Sequence, residues 1–212
     1  MEIDSQLRDH WDSIYKCHEV GEVGWYEKNP IPCLKLLAKC NIKKHESIVD
    51  VGAGASTLID CLVKKGFNNI TAVDISQTAI NRLKQRLGEK TSAVKFLVDD
   101  ITQPTQMENL RNFSLWHDRA LLHFFTEEKD RIGYLATLKR AVKKDGYVII
   151  SVFSLKGAEM CAGLKVRRYD QNMLAEFLGS DFKSVDYFEY LYHRPSGDTR
   201  PYLYTLFQRI KV

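Results

Sequence analysis

The sequence contains few of the features that mark membrane or secreted proteins. Its longest stretch without Asp, Glu, Lys or Arg is residues 146–155, whereas a membrane-spanning helix needs about 20 apolar residues. Residues 1–4 are acidic and no apolar segment follows them, which argues against a secretory signal. We therefore expect a cytoplasmic protein that does not enter a membrane.

Cysteine is too sparse and too irregularly spaced to predict a disulfide framework. The five cysteines are odd in number and form no Cys-x-x-Cys pair, which favours free thiols in a reducing compartment. A zinc site would have to combine residues that lack a recognised ligand spacing, so we predict no metal site. The residues available for one are Cys17, His18, Cys33 and Cys40.

Charge of one sign is also scarce, because 31 basic residues face 27 acidic ones and the net charge is only +4. Nucleic-acid-binding proteins usually carry a concentrated basic stripe. The short basic patch of Lys165, Arg167 and Arg168 is interpreted as a solvated loop. Nucleic acid is therefore not indicated as a partner.

What the sequence does contain, from residue 47 onward, is an alternation of strand-like and helix-like segments. Short, continuously apolar runs are typical of strands that are covered on both faces, and the alternation predicts a parallel, doubly wound α/β sheet. Ser76 can cap one helix and Gly88 can end it. The predicted strands are 47–51, 70–74, 94–98, 114–118 and 146–153, and the predicted helices are 57–65, 76–87, 127–142 and 170–178.

Both ends of the chain depart from this alternation. Residues 182–192 and 202–209 are strand-like with only a turn between them, so we expect a carboxyl-terminal antiparallel hairpin. The first 46 residues are aromatic-rich and predict a helical cap on a Rossmann-like core of residues 47–212. The chain is then a single domain over residues 1–212. The aromatic residues of the cap include Trp11, Tyr15, Trp25 and Tyr26.

A glycine-rich turn between the first strand and the following helix predicts a cofactor site. Gly52 and Gly54 permit a sharp turn and close approach of a ligand, and Asp74, twenty residues later, can accept hydrogen bonds from ribose hydroxyls. A dinucleotide site would have a third glycine where this chain has Thr57. Asp99 and Asp100 at the third strand end would repel a pyrophosphate, but suit a cationic, phosphate-free cofactor such as S-adenosylmethionine.

The sequences of residues 50–54 (Asp-Val-Gly-Ala-Gly), 73–76, 99–102 and 142–150 resemble the class I, Rossmann-like S-adenosylmethionine-dependent methyltransferases over about residues 45–210. The resemblance implies transfer of a methyl group from S-adenosylmethionine, with S-adenosylhomocysteine as product. It also implies a set of cofactor residues. Gly52 and Gly54 would border the methionine part with Asp50 below it, Asp74 and Ile75 would hold the ribose, Asp100 would bind the adenine amino group, Ile101 would pack on the ring, and Trp25 would close over the cofactor.

The end of the fourth strand predicts the acceptor site, because ligands bind at the carboxyl ends of strands in doubly wound sheets. His117, Asp118 and His123 are the candidate catalytic residues, and His117 could act as a base near neutral pH. Since side chains alternate along a strand, one of His117 and Asp118 should face the crevice while the other braces it or pairs with Arg119. The plainer alternatives are an Arg119–Asp118 ion pair and a His123 that only packs.

We predict a small-molecule or protein side-chain acceptor. The segment 157–169, with Cys161 and Tyr169, can arch over the crevice, although a plain connecting loop is the simpler interpretation. Two other functions stay open at this stage. The first is an NAD-dependent oxidoreductase, and the second is a non-catalytic module that binds S-adenosylmethionine or a nucleotide.

Overall fold

The computed structural model describes residues 5–54 and 56–211. Nine strands lie in this part of the chain, seven of them in one sheet. In chain order they are β1 (Ile48–Val51), β2 (Ile70–Asp74), β3 (Val94–Val98), β4 (Phe113–Arg119), β5 (Val142–Phe153), β6 (Met160–Cys161), β7 (Leu164–Lys165), β8 (Phe182–His193) and β9 (Thr199–Arg209).

The main sheet has the order β3-β2-β1-β4-β5-β9-β8. Strands β1 to β5 pair in parallel. Strand β9 is antiparallel to β5, and β8 is antiparallel to β9. The predicted doubly wound sheet with a carboxyl-terminal antiparallel hairpin is therefore confirmed.

The helices begin and end largely where local chemistry predicts. The Ser76 hydroxyl accepts the Ala79 N–H at 3.0 Å, and Gly88 ends the same helix at a φ of 56°. Asp170 caps a later helix by accepting the Met173 N–H at 2.8 Å. The helices are α1 (Ser5–Cys17), α2 (Ile31–Leu37), α3 (Thr57–Lys64), α4 (Gln77–Leu87), α5 (Glu128–Ala141) and α6 (Gln171–Leu178).

Two segments differ from the sequence prediction. Strand β5 begins at Val142, four residues earlier than expected, and its pairing with β4 shifts register near Phe113. The segment 157–169 contains a short hairpin of β6 and β7, rather than an irregular loop. Its two-residue turn, Ala162 and Gly163, has φ angles of 50° and 79°, as primed hairpin turns require.

The central strands are buried, which fits their mostly apolar sequence. Every residue of β1 and β2 is buried, because helices cover both faces of the sheet. At the centre of the sheet β1 has β2 on one side and β4 on the other, so the strand order reverses there. Such a switch point opens a crevice at the carboxyl ends of the strands.

Candidate active site

A cavity of about 330 Å³ lies at the carboxyl ends of β1 to β4. Helix α1 contributes Leu7, Trp11 and Tyr15 to its wall, and β7 contributes Leu164 and Lys165. It therefore occupies the crevice that the strand order predicts. Six of the predicted cofactor residues line it, namely Trp25, Gly52, Asp74, Ile75, Asp100 and Ile101.

The glycine-rich turn reaches this cavity in a left-handed backbone conformation. Gly52 has a φ of 59° and Gly54 a φ of 50°, which residues with a Cβ adopt only at a cost. A Cβ on Gly54 would lie 2.2 Å from the hydroxyl oxygen of Tyr15. The sequence predicted that a ligand would approach Gly54 closely, but the Tyr15 side chain of α1 fills that space.

Asp74 holds the glycine turn at the end of β2. Its Oδ2 accepts the Gly54 N–H at 2.7 Å and its Oδ1 accepts the Ser76 N–H at 2.8 Å. Burial raises the pKa of Asp74 to about 6, although these two hydrogen bonds oppose that change. The carboxylate is therefore both an anchor for the turn and a part of the cavity wall.

The neighbouring acids at the end of β3 have different surroundings. Asp99 is buried and accepts the N–H groups of Thr105 and Met107, so it holds the following loop. Asp100 lines the cavity, and its Oδ1 accepts both the N–H and the hydroxyl of Thr102 at 2.8 Å. Both acids line the larger cavity, and Asp99 differs in that both of its carboxylate oxygens accept N–H groups of the following loop.

A smaller cavity of about 60 Å³ adjoins the first and shares Trp25, Gly52 and Arg119 with it. Asp50 and His117 lie in its wall. Asp50 is therefore separated from the six predicted cofactor residues that line the larger cavity, and Gly54 lines neither cavity. The two cavities meet where β1 and β4 end.

His117 is held at both of its ring nitrogens. Its Nδ1 lies 2.6 Å from Asp50 Oδ1, and its Nε2 lies 3.2 Å from Cys33 Sγ. Burial alone would lower the pKa of His117, but Cys33 and Asp50 together raise it well above the usual value. A ring that keeps its proton at neutral pH cannot accept another. The predicted role of His117 as a general base is therefore not supported.

Arg119 lies at the boundary of the two cavities. Its Nε is 2.9 Å from Glu27 Oε2 and donates to the Tyr204 hydroxyl, while Nη1 donates to the Trp25 carbonyl at 2.7 Å. Within residues 5–54 and 56–211, its buried Nη2 has no hydrogen-bond partner. The alternative of an Arg119–Asp118 ion pair is wrong, because Glu27 from the amino-terminal segment is the carboxylate partner of Arg119.

This arrangement fits S-adenosylmethionine. The larger cavity presents Asp74 and Asp100, which can accept hydrogen bonds from ribose hydroxyls and an adenine amino group. The smaller cavity presents carboxylates as well as the free N–H of Arg119, which match the opposite charges of an amino-acid end.

Residues 48–146 match the methyltransferase domain family. The chain is 27% identical over 168 residues to EEF1A lysine methyltransferase 2 of Mus musculus, a match that covers 72% of this chain and 68% of that protein. The corresponding Homo sapiens protein is 27% identical over 159 residues, which is 68% of this chain and 66% of that protein. The matched segment thus spans about two thirds of these relatives.

The fold is likewise that of solved methyltransferases. An S-adenosylmethionine-dependent methyltransferase from Anabaena variabilis superposes with a TM-score of 0.74 at 12% identity, covering 99% of this chain and 96% of that one. The 1,6-didemethyltoxoflavin-N1-methyltransferase of Burkholderia thailandensis, solved with S-adenosylhomocysteine, has a TM-score of 0.67 at 20% identity and covers 100% and 92%. The chain is a class I S-adenosylmethionine-dependent methyltransferase.

In this methyltransferase Asp118 braces the turn that follows β4. It is fully buried and accepts the Tyr134 hydroxyl at 2.7 Å and the N–H groups of Leu121 and Leu122, each at 3.1 Å. His117 and Asp118 therefore alternate as predicted, with His117 at the smaller cavity and Asp118 inside the opposite core. Asp118 is not at the cavity wall, so a direct role in catalysis is not supported.

Replacing Asp118 with asparagine is expected to change how stability depends on pH. Burial raises the pKa of Asp118 to about 6 from 3.8, so the native state holds a proton that the unfolded state releases between these values. The stability of the wild type relative to Asp118→Asn should fall as the pH rises from about 4 to 7, by up to about 3 kcal/mol. Urea unfolding across this range measures the difference.

Asp198→Asn provides a control of opposite sign. The hydrogen bond from Ser196 and the nearby Arg194 lower the pKa of Asp198, so its contribution to stability is lost as the pH falls. A wild-type advantage over Asp118→Asn that is constant or increases toward pH 7 would contradict the assigned role of Asp118.

His123 lies beside the active site but in the core. It is fully buried, its Nδ1 accepts the Phe153 N–H at 3.4 Å, and its ring packs on Phe124 and Phe153. Burial and the charge of Arg119 lower the pKa of His123 to about 3. The ring is therefore neutral at physiological pH. Phe124, the next residue, is the one that lines the larger cavity.

An aromatic wall formed by Trp11, Trp25 and Phe124 closes the larger cavity. The ring centroids of Trp11 and Phe124 are 4.9 Å apart, and those of Trp11 and Trp25 are 5.7 Å apart. Sequence reasoning identified Trp25 but missed Trp11 and Phe124 as site residues. The aromatic content of the cap was the available signal for Trp11.

The segment 157–169 does reach the cavity, through different residues from those suggested. Leu164 and Lys165 on β7 line it, whereas Tyr169 is buried behind β5 and Cys161 packs into the core on the other side of the sheet.

Neither a metal cluster nor a spanning helix is found in the described ranges. Cys17 is exposed and Cys33 is buried, and residues 5–54 and 56–211 contain no group of three or more His, Cys, Asp or Glu arranged to hold a metal ion. The zinc hypothesis therefore has no structural support. Across the same residues, no helix is long and apolar enough to span a membrane.

Proposed function

We propose that this methyltransferase modifies the side-chain amine of a lysine in a protein. The aromatic wall of Trp11, Trp25 and Phe124 is the observation that carries the proposal. Aromatic faces attract ammonium groups, by about 0.5–2 kcal/mol, and a narrow aromatic wall also suits the apolar stem of a lysine. The relatives named EEF1A lysine methyltransferase 2 support the same acceptor class.

We assign the adenosine end of the cofactor to the side of the larger cavity formed by Asp74 and Asp100, which leaves the aromatic wall to the acceptor, and we assign the amino-acid end to the smaller cavity. Asp74 and Asp100 would hold the ribose and the adenine, while Asp50 and Arg119 would face the ammonium and the carboxylate. When bound, the cofactor supplies a methyl group on a cationic sulfur, which is an activated leaving group. The lysine would attack as the neutral amine after losing a proton to water, and the protein then contributes mainly positioning, which can be worth about 7–11 kcal/mol.

We also propose that residues 1–46 act as a cap of one catalytic unit with residues 47–212. Trp11 and Tyr15 of α1 line the larger cavity, and the Asp12 carboxylate accepts the Ser76 hydroxyl at 2.5 Å and the Thr78 N–H at 2.9 Å at the start of α4. The free thiols of all five cysteines support a cytoplasmic location.

An acceptor assay tests the proposed function. The protein is incubated with methyl-labelled S-adenosylmethionine and elongation factor 1A, and the label is followed in precipitated protein and in methyl-lysine released by hydrolysis. We expect label in methyl-lysine with the wild type, and less with Trp11→Ala because one side of the aromatic wall is lost. Asp60→Asn, a surface change on α3, is the matched control and should keep full transfer.

The same assay can also show that the acceptor is not a protein lysine. If release of S-adenosylhomocysteine requires a low-molecular-mass acceptor, and neither elongation factor 1A nor a lysine-rich protein extract takes up label, the acceptor is a small molecule. That result would overturn the lysine assignment while leaving the cofactor assignment intact.

A further inference from the structure

A buried hydrogen-bonded chain links α2, β4 and β1 and ends at the smaller cavity. It runs from Cys33 Sγ through the ring of His117 to Asp50 Oδ1, with separations of 3.2 and 2.6 Å. Asp50 and His117 are register partners on adjacent parallel strands, so their side chains lie on the same face of the sheet. The geometry holds Asp50 in one orientation.

The chain leaves one oxygen of Asp50 unused. Asp50 Oδ2 is buried and has no hydrogen-bond partner among the residues that the structure describes, while the Asp50 side chain is only 3% exposed. A buried carboxylate oxygen without a donor is costly. Asp50 lines the smaller cavity, so a cationic donor that enters this cavity would satisfy it.

The other charged groups around this cavity leave Asp50 as the site for a cation. Glu27 from the amino-terminal segment is ion-paired with Arg119, and Arg119 keeps Nη2 free for an anion. Asp74 on β2 lines the larger cavity instead, where its two oxygens accept the N–H groups of Gly54 and Ser76. A zwitterionic ligand would therefore place its ammonium toward Asp50 and its carboxylate toward Arg119.

We propose that His117 is a positioning residue, which holds Asp50 so that Oδ2 faces the α-ammonium of S-adenosylmethionine. The proposal rests on the assignment of the amino-acid end of the cofactor to the smaller cavity. An ion pair buried in a core is often no more stabilising than apolar residues of similar volume. A role in ligand binding explains why the His117–Asp50 pair leaves one carboxylate oxygen at the cavity.

Two substitutions separate this role from simple packing. His117→Phe keeps a ring of similar size but removes the donor to Asp50. His117→Asn keeps an N–H close to the position of Nδ1 and removes only the contact with Cys33. Calorimetric titration measures binding of three ligands: S-adenosylhomocysteine, its decarboxylated analogue, which keeps the ammonium, and 5′-methylthioadenosine, which lacks the whole amino-acid end.

For His117→Phe we expect affinity for the first two ligands to fall by about 10-fold or more, the loss typical of a hydrogen bond to a charged group. Affinity for 5′-methylthioadenosine should stay within about twofold, because the ligand has no group for Asp50. His117→Asn should restore most of the loss. If His117→Phe does not fold, Asp50→Asn carries the test and should show the same selectivity.

Two failures are distinguishable. Equal weakening of all three ligands by His117→Phe, or no rescue by His117→Asn, would mean that the histidine only supports the fold and would overturn the proposal. If the wild type itself binds S-adenosylhomocysteine no more tightly than 5′-methylthioadenosine, the placement of the amino-acid end is wrong. Neither result bears on the acceptor assay.

Discussion

Gly54→Val is expected to abolish binding of S-adenosylhomocysteine, with a loss of at least about 100-fold in affinity. Gly54 has a φ of 50°, and a Cβ there would lie 2.2 Å from the Tyr15 hydroxyl. The turn or α1 must move, and either movement disturbs the Gly54 N–H bond to Asp74. A displaced Asp74 would lose its hydrogen bonds to the cofactor, and bonds to a charged group are worth about 1.5–3 kcal/mol each, which is enough for a loss of this size. Calorimetry and the ligand-induced rise in melting temperature measure it.

The matched control for backbone strain is Gly66→Val. Gly66 also has a positive φ, 86°, but a Cβ there meets nothing within 4 Å. It should therefore lose stability from the left-handed conformation, by about 1–2 kcal/mol or more for a β-branched residue, while keeping its affinity for the product.

A second substitution tests the stated cause. Because the clash involves the far end of the Tyr15 side chain, Tyr15→Leu should restore part of the affinity lost in Gly54→Val. A folded Gly54→Val protein that binds S-adenosylhomocysteine as tightly as the wild type would show that the turn does not control the cofactor site.

Asp74→Asn is expected to weaken binding of S-adenosylhomocysteine by about 100-fold. Each hydrogen bond to a charged acceptor is worth about 1.5–3 kcal/mol, and the neutral amide loses this advantage toward ribose hydroxyls. It also cannot accept with both terminal atoms, so the Gly54 or the Ser76 N–H loses its partner. The same calorimetric titration measures the effect, with Asp60→Asn as a surface control.

The pH dependence of S-adenosylhomocysteine binding tests whether Asp74 is the carboxylate that holds the ribose. Since burial raises the pKa of Asp74 to about 6, and ribose hydroxyls donate to its ionised form, product affinity of the wild type should increase as the pH rises from 5 to 7. The change approaches about tenfold per pH unit at the acidic end. Asp74→Asn should show a much flatter profile. Equal pH profiles in both proteins would assign the titration to another group.

Much of the cofactor site could be predicted because its information is local. Three of its features lie where a strand ends, namely the Gly52 turn and the carboxylates of Asp74 and Asp100. Parallel strands bring their carboxyl ends to one edge of the sheet. Six predicted residues accordingly line the same cavity. The sequence did not distinguish Asp50 from these residues. Its side chain lies in the wall of the adjoining cavity, where His117 holds it.

The acceptor side was less predictable because its contacts are long-range. From its position in the sequence, His117 was predicted to act as a general base, but its Nε2 contacts Cys33, 84 residues earlier in the chain. A pairing of Arg119 with its neighbour Asp118 was one alternative, yet Glu27 reaches Arg119 from the amino-terminal segment. His123 is followed by the residue that does reach the cavity, Phe124.

The sequence by itself determined the order of strands and helices, the doubly wound architecture and the cofactor class, because apolar periodicity, caps and glycines act within a few residues. Only the tertiary structure decided which titratable groups are buried and which of them take part in hydrogen bonds or ion pairs. Those properties depend on side chains that distant segments bring together, as the Tyr15 hydroxyl above Gly54 shows. Local chemistry therefore specifies the scaffold, whereas packing between distant residues determines the protonation and orientation of the groups at the site.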